Sequence, residues 1–180
     1  MDSDKHARLL ELVIHSSRGP GSKSGPAGTP SPDRLQCGAV QELPRTEVVL
    51  AVVQRNGRIC LVRRSDRVAT SRGMWSVVTG YVEPGVDPLT QACQELDEEL
   101  GLRSPDARLV HSLAPVPLTS AASGREFLVH PFLFEGGDAW EAVLNWEHTE
   151  LAWVEPKRLG DPDCVSWQRA VVLALLQQPG

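Results

Sequence analysis

Polar and apolar positions follow three successive patterns along the chain. Between positions 3 and 15, Ala7, Leu10, Val13 and Ile14 recur at helical spacing behind Ser3, a residue type that caps helix N-termini. This predicts a short amphipathic helix within residues 1–16. Residues 17–44 are rich in Gly, Pro and Ser, as in Gly19-Pro20-Gly21-Ser22 and Thr29-Pro30-Ser31-Pro32. Such a composition buries too little apolar surface to offset chain entropy, so a flexible linker is expected there. From 45 to 178 the apolar positions become dense, and one folded domain is expected.

Within that domain Val48, Val49, Leu50, Ala51, Val52 and Val53 form an unbroken apolar run, closed by Asn56-Gly57, a pair suited to a tight hairpin; Ile59, Cys60, Leu61 and Val62 follow. Two paired strands are predicted. Trp75, Ser76, Val77 and Val78 suggest a third strand stopped by Gly80, and Pro84-Gly85 marks a turn before a helix. Asp87 can cap that helix, Pro88 is tolerated in its first turn and Gly101 can end it. Strands are expected over 108–113, 127–134 and 151–154, and a final helix over 165–176 with Val171 and Leu175 on its inner side. The alternation lacks a regular βαβ rhythm, so the fold class is α/β in the α+β sense, a central mixed sheet covered by helices.

The helix over 87–100 carries the candidate chemistry. At about 100° per residue, Leu89, Ala92, Cys93, Leu96 and Leu100 gather on one face expected to pack inward, and Glu95, Glu98 and Glu99 fall in an adjoining arc. Like charges at those spacings cost a helix a few tenths of a kcal/mol per pair, roughly, and no Lys or Arg lies within the helix to relieve them. A hard divalent ion with oxygen ligands meets that need; a solvated acidic face is the alternative.

Composition narrows the partners. The 180 residues are 41% hydrophobic, enough for a core, and the net charge of −5 argues against an extended nucleic-acid surface while leaving small phosphorylated ligands open. Cys37, Cys60, Cys93 and Cys164 make no C-x-x-C pair, so buried or free thiols are expected. No secretory h-region and no membrane-length apolar run is seen, which gives a cytoplasmic expectation and no membrane partner. Arg63, Arg64, Arg67 and Arg72 precede the acidic helix, and guanidinium forks suit phosphate oxygens. Trp75 and Tyr81 can stack a base, with core packing the alternative for Trp75. Glu83, on the intervening loop, is a weaker candidate.

Residues 80–102 resemble the Nudix box, whose pattern is Gly, five residues, Glu, seven residues, then Arg-Glu-apolar-any-Glu-Glu-any-Gly-apolar. Gly80, Glu95, Leu96, Glu98, Glu99, Gly101 and Leu102 match it, whereas Val86 stands where the family has Glu and Gln94 where it has Arg. The resemblance implies a Nudix-like α/β/α sandwich with a central mixed sheet over about 46–176. It also implies a metal-dependent pyrophosphohydrolase with Mg²⁺ (or Mn²⁺) as cofactor. The implied substrate is a nucleoside diphosphate linked to another moiety, of the NDP-sugar, ADP-ribose or dinucleoside polyphosphate type, attacked at phosphorus by metal-activated water. Carried over residue by residue, Glu95, Glu98 and Glu99 match the metal-binding and acid-base glutamates, and the carbonyl of Thr79 or Gly80 adds a ligand. The stretch from Trp146 to Trp153, with Glu-His followed five residues later by Trp, is similar to diadenosine-tetraphosphate hydrolases of the family. It points to Glu147 as a further ligand or base, with a plain surface loop the alternative, Glu150 second, and His148 structural or exposed rather than catalytic. In the family the positions of Val86 and Gln94 resemble an ion pair bracing loop against helix. Losing both charges together is milder than losing one, but a less rigid loop is expected. The implied partner is a small-molecule nucleotide, with a homodimer as the assembly entertained. Two other readings stand beside the enzyme: a nucleotide-binding regulatory module that does not cleave, and an interaction protein docking through its N-terminal helix.

Overall fold

The structure, a computed structural model, describes residues 45–120 and 124–177. The helix expected within 1–16, the linker over 17–44 and Cys37 lie outside the described residues. Strands β1 (Thr46–Arg55) and β2 (Arg58–Arg64) form the predicted hairpin. Asn56 at φ 50° and Gly57 at φ 73° supply the left-handed pair its two-residue turn requires. The chain continues through β3 (Trp75–Ser76), β4 (Val78–Tyr81) and α1 (Pro88–Leu100). Then come β5 (Ala107–Ser112), β6 (Val116–Thr119), β7 (Glu126–Gly136), β8 (His148–Val154), a 3-10 turn over Pro156–Gly160 and α2 (Gln168–Leu176).

Among the described residues all eight strands join one mixed sheet. β1 runs parallel to β7 along one edge, and on its other edge it pairs with β2 at the hairpin end and with β4 at the opposite end, both antiparallel. Helices cover both faces. Val48, Leu50 and Val52 pack with Phe127, Val129 and Leu133 beneath α2, while Val49, Ala51 and Val53 pack with Phe132 and Phe134 beneath α1. Burial on both sides explains why the β1 sequence is continuously apolar rather than alternating. Pro131 sits inside β7 where its missing N–H costs no ladder bond. Its carbonyl accepts from Leu113 N, in the gap where β7 changes partner from β5 to β6.

α1 is bounded as its sequence requires. Asp87 Oδ2 accepts from Thr90 N at 3.1 Å, and Gly101 at φ 64° sends its N–H to Asp97 O while Leu102 N reaches Leu96 O. Three expectations are corrected. The third strand breaks at Val77, and Gly80 does not stop a strand but lies inside β4, paired with Val49. The last helix begins at Gln168 rather than Val165, because Val165 N is drawn to Trp75 O, tying that segment to β3. Neither β6 nor the 3-10 turn is marked by a local pattern in the sequence. Among the described residues no helix is long and apolar enough to cross a membrane.

Candidate active site

The inner side of α1 is half polar. Gln91, Glu95 and Glu99, spaced one turn apart, run beside Ala92, Leu96 and Leu100, and all six are buried, with both glutamates only 3% exposed. Cys93, expected on the inward face, is exposed. The buried stripe is the pair of rows 91-95-99 and 92-96-100, and position 93 falls just beyond the edge of that arc. Glu98 is also exposed. Of the three glutamates in that arc, two therefore lie inside and one at the surface.

Glu95 lies directly on the strand below it. A Cβ placed on Gly80 would stand 2.0 Å from Glu95 Oε1 and 2.1 Å from its Cδ, so only glycine lets the carboxylate rest against β4. Gln91 Nε2 donates to Glu95 Oε1 at 2.9 Å, and Gln91 Oε1 accepts from Glu83 N at 3.2 Å. One buried amide thus holds the glutamate with one end and the loop before α1 with the other. The loop was expected to be unbraced, since Val86 and Gln94 replace the charged pair. Gln91 supplies a neutral brace instead. The readable signal was a glutamine one turn ahead of Glu95.

The opposite wall is the start of β8. Val62 pairs with Leu151 and Arg63 with Glu150, but Arg64 then pairs with His148, leaving Thr149 as an extra residue in a bulge. A bulge re-aims side chains, and here Arg64 and His148 are both buried. Ser65 N donates to Glu147 O, Glu147 N to Asn145 Oδ1 and Asn145 N to Glu99 O, which fastens residues 145–147 to β2 and to α1. Glu147, for which a surface loop was the alternative, is 5% exposed. His148 Nε2 lies 2.6 Å from Glu99 Oε2. Burial pushes the His148 imidazole down to about 4, with Glu147 pulling it up and Arg64 pushing it further down, so it is a neutral donor at pH 7. Arg64 donates from Nε to Thr70 O at 3.0 Å. Burial lowers its guanidinium from the usual value, and Glu99 and Glu147 pull it back up.

The buried charges are therefore Glu95, Glu99 and Glu147 with Arg64, on which Glu99 and Glu147 act electrostatically. Among the described residues no three acidic, histidine or cysteine side chains converge as a ready-made metal cage. The donor set is nevertheless of the right chemistry for a hard divalent ion, being carboxylate oxygens on a helix above a strand carbonyl, with one guanidinium against three buried carboxylates. By that test the residues fit such an ion.

Arg64 joins this cluster, while other sequence candidates sit elsewhere. Arg63 is exposed and binds Gly73 O and, at 2.6 Å, Glu150, so the second-choice carboxylate is engaged in a surface pair. Arg67 stacks 5.2 Å over the exposed ring of Trp146, and Arg72 Nε donates to Val68 O. Trp75 packs against the core on the α2 side. Tyr81 also packs on that side, opposite Gly80, and lines a cleft of about 350 Å³ with Arg45, Glu47, Glu83 and Val86. Sequence reasoning missed Ser76 and Gln168, which line a small cavity of about 10 Å³ with Arg64 and Thr79. Gln168 Oε1 there accepts from Val77 N. No local pattern marks them, because α2 meets β3 and β4 only through the tertiary fold.

The family model described as NUDIX domain matches residues 43–176. An octanoyltransferase from Myxococcus xanthus is 34% identical over 119 residues, which is 62% of this chain but only 31% of that protein. The chain therefore spans less than a third of that relative's length. A CTP pyrophosphohydrolase from Escherichia coli (strain K12) is 30% identical over 111 residues, covering 62% of this chain and 76% of that protein. Among solved structures, a MutT protein from Methanosarcina mazei Go1 superposes with a TM-score of 0.58 at 25% identity, over 74% of this chain and 94% of that one.

Proposed function

The chain belongs to the Nudix family, and we propose that it hydrolyses a diphosphate linkage in a small nucleotide, a nucleoside diphosphate joined to another moiety, at the cluster around Glu95, Glu98, Glu99 and Glu147. The observation that carries this reading is the burial of Glu95, Glu99 and Glu147, the last two acting electrostatically on the buried Arg64, with Glu98 exposed on α1. Carboxylates are not otherwise taken out of water in such number, because each costs several kcal/mol, roughly, unless a cation or hydrogen bonds repay it.

Glu95, Glu98 and Glu99, with the Gly80 carbonyl oxygen, would hold Mg²⁺ or Mn²⁺. Bound there, the ion supplies neutralisation of charge on the phosphoryl oxygens and acidification of water. The chain's own groups do the rest. Arg64 presents a guanidinium fork to phosphate oxygens. Glu98, in contact with solvent, accepts the proton of the attacking water, and Glu147 stands across the cluster as a second acceptor. Glu95, held by Gln91 against Gly80, keeps its carboxylate fixed on β4. The relative named for CTP supports a substrate in which the second moiety is phosphate, alongside NDP-sugars, ADP-ribose and dinucleoside polyphosphates.

A panel of these nucleotides with Mg²⁺ or Mn²⁺ is expected to give a nucleoside monophosphate or another phosphorylated product, and EDTA is expected to stop its release. Absence of turnover on every class with either metal sinks the proposal. Gly80→Ala gives a sharper check. The new methyl occupies the place of the Glu95 carboxylate, and a displacement of about 1 Å at a reacting group costs on the order of 10²-fold in rate. The expected result is that loss in kcat with an unchanged circular dichroism spectrum.

Val86 and Gln94 favour a second reading, a nucleotide-binding module that does not cleave. The Gln91 brace weighs against it, since it restores the link between loop and helix. A rise in melting temperature with ADP-ribose or a dinucleoside polyphosphate, together with no product after hours, would select the module.

A further inference from the structure

We propose that His148 is a positioning residue for Glu99, an imidazole whose Nε2–H fixes that carboxylate for the diphosphate-hydrolysing cluster; the inference rests on the function proposed above. The contact is enclosed: the two side chains are 1% and 4% exposed, and Nε2 stands 2.6 Å from Oε2. The other ring nitrogen identifies the tautomer. His148 Nδ1 is buried and has no hydrogen-bond partner. A proton there would be a buried donor with no acceptor, a state folded proteins avoid. The proton therefore sits on Nε2 and is donated to Glu99. With Oε2 held, the plane of the carboxylate is set and its second oxygen is carried with it.

The backbone supports the same assignment. His148 would alternate to the other side of the sheet if β8 paired with β2 in regular register. The extra residue Thr149 turns it inward, opposite Arg64. Asn145 N, three residues earlier, donates to the carbonyl of Glu99 itself. One short segment thus grips Glu99 at main chain and side chain, across a separation of 49 residues. Glu147 and Arg64 are the charged neighbours of the ring besides Glu99. A histidine that merely filled space would need neither the bulge nor a hydrogen bond to a carboxylate.

Two substitutions separate positioning from packing. His148→Gln keeps an N–H donor near the place of Nε2, and His148→Phe keeps the planar bulk without the donor. Mn²⁺ affinity, read by the electron paramagnetic resonance signal of the free ion, is expected to weaken about 10–100-fold in the Phe variant, the usual loss when the partner of a ligating group is removed. The Gln variant is expected to stay close to wild type, and kcat is expected to follow Mn²⁺ affinity more closely than does KM for the nucleotide. In the wild-type protein, ¹⁵N NMR of the ring is expected to show the Nε2–H tautomer at neutral pH. Unaltered Mn²⁺ affinity in the Phe variant, or an Nδ1–H tautomer in the wild type, overturns the assignment. If the Phe variant does not fold, the NMR result and the Gln variant decide. A wild-type protein that hydrolyses nucleotide while both variants bind Mn²⁺ equally well defeats the positioning role alone. One that neither binds Mn²⁺ nor hydrolyses any nucleotide defeats the function on which it rests.

Discussion

Glu98→Gln is expected to lower kcat by about 10²–10⁴-fold, the range for loss of a proton-transferring group, with no measurable change in melting temperature. The separation of the two effects comes from where the residue sits. Glu98 is exposed on α1, and surface substitutions of similar shape change stability by about 0.5 kcal/mol or less. Glu99→Gln is expected to lose activity too, but it also removes the charge facing Arg64 and His148, so stability should move with rate. Single-turnover kinetics beside thermal melts distinguish the two variants. Full activity in both would remove this cluster as the reacting site.

The largest effect on stability is expected from Arg64→Met. Arg64 is 6% exposed, and its guanidinium interacts electrostatically with Glu99 and Glu147, themselves buried. Removing one partner from a buried charge group costs about 3–5 kcal/mol, because the opposite charges stay behind without it. The loss should appear as a lower urea midpoint at an unchanged slope. Arg64→Met combined with Glu99→Gln should cost less than the sum of the two, since the charge left behind is then smaller. Mn²⁺ should also recover more stability in Arg64→Met than in wild type, by binding the folded state whose carboxylates lack their cation. A loss under about 1 kcal/mol would show that the carboxylates do not depend on Arg64.

Much of the site was visible as an acidic spacing on a helix with clear ends. Its internal order was not. The sequence offered Glu95, Glu98 and Glu99 as equals, and the structure separates them because β4 and β8 cover two of the three. It offered His148 as structural, and burial alone agrees with that; the hydrogen bond to Glu99 appears only when β8 is set beside α1. Gln91 was passed over because amides on a helix are usually surface residues. It becomes a brace only because the loop carrying Glu83 folds back over it.

The sequence by itself determined the features that depend on near neighbours: the Asn56-Gly57 turn, the Asp87 cap and Gly101 end of α1, and the two-sided burial of β1 declared by its unbroken apolar run. Backbone conformation and local capping are settled within a few residues, so the chain states them openly. Only the tertiary structure decided the interruption at Val77, the place of Gly80 inside β4, the bulge at Thr149 and the meeting of Arg64, Glu99, Glu147 and His148. These follow from strand register and from which faces are packed together. Register is fixed by the summed burial of many side chains across the sheet rather than by any local stretch.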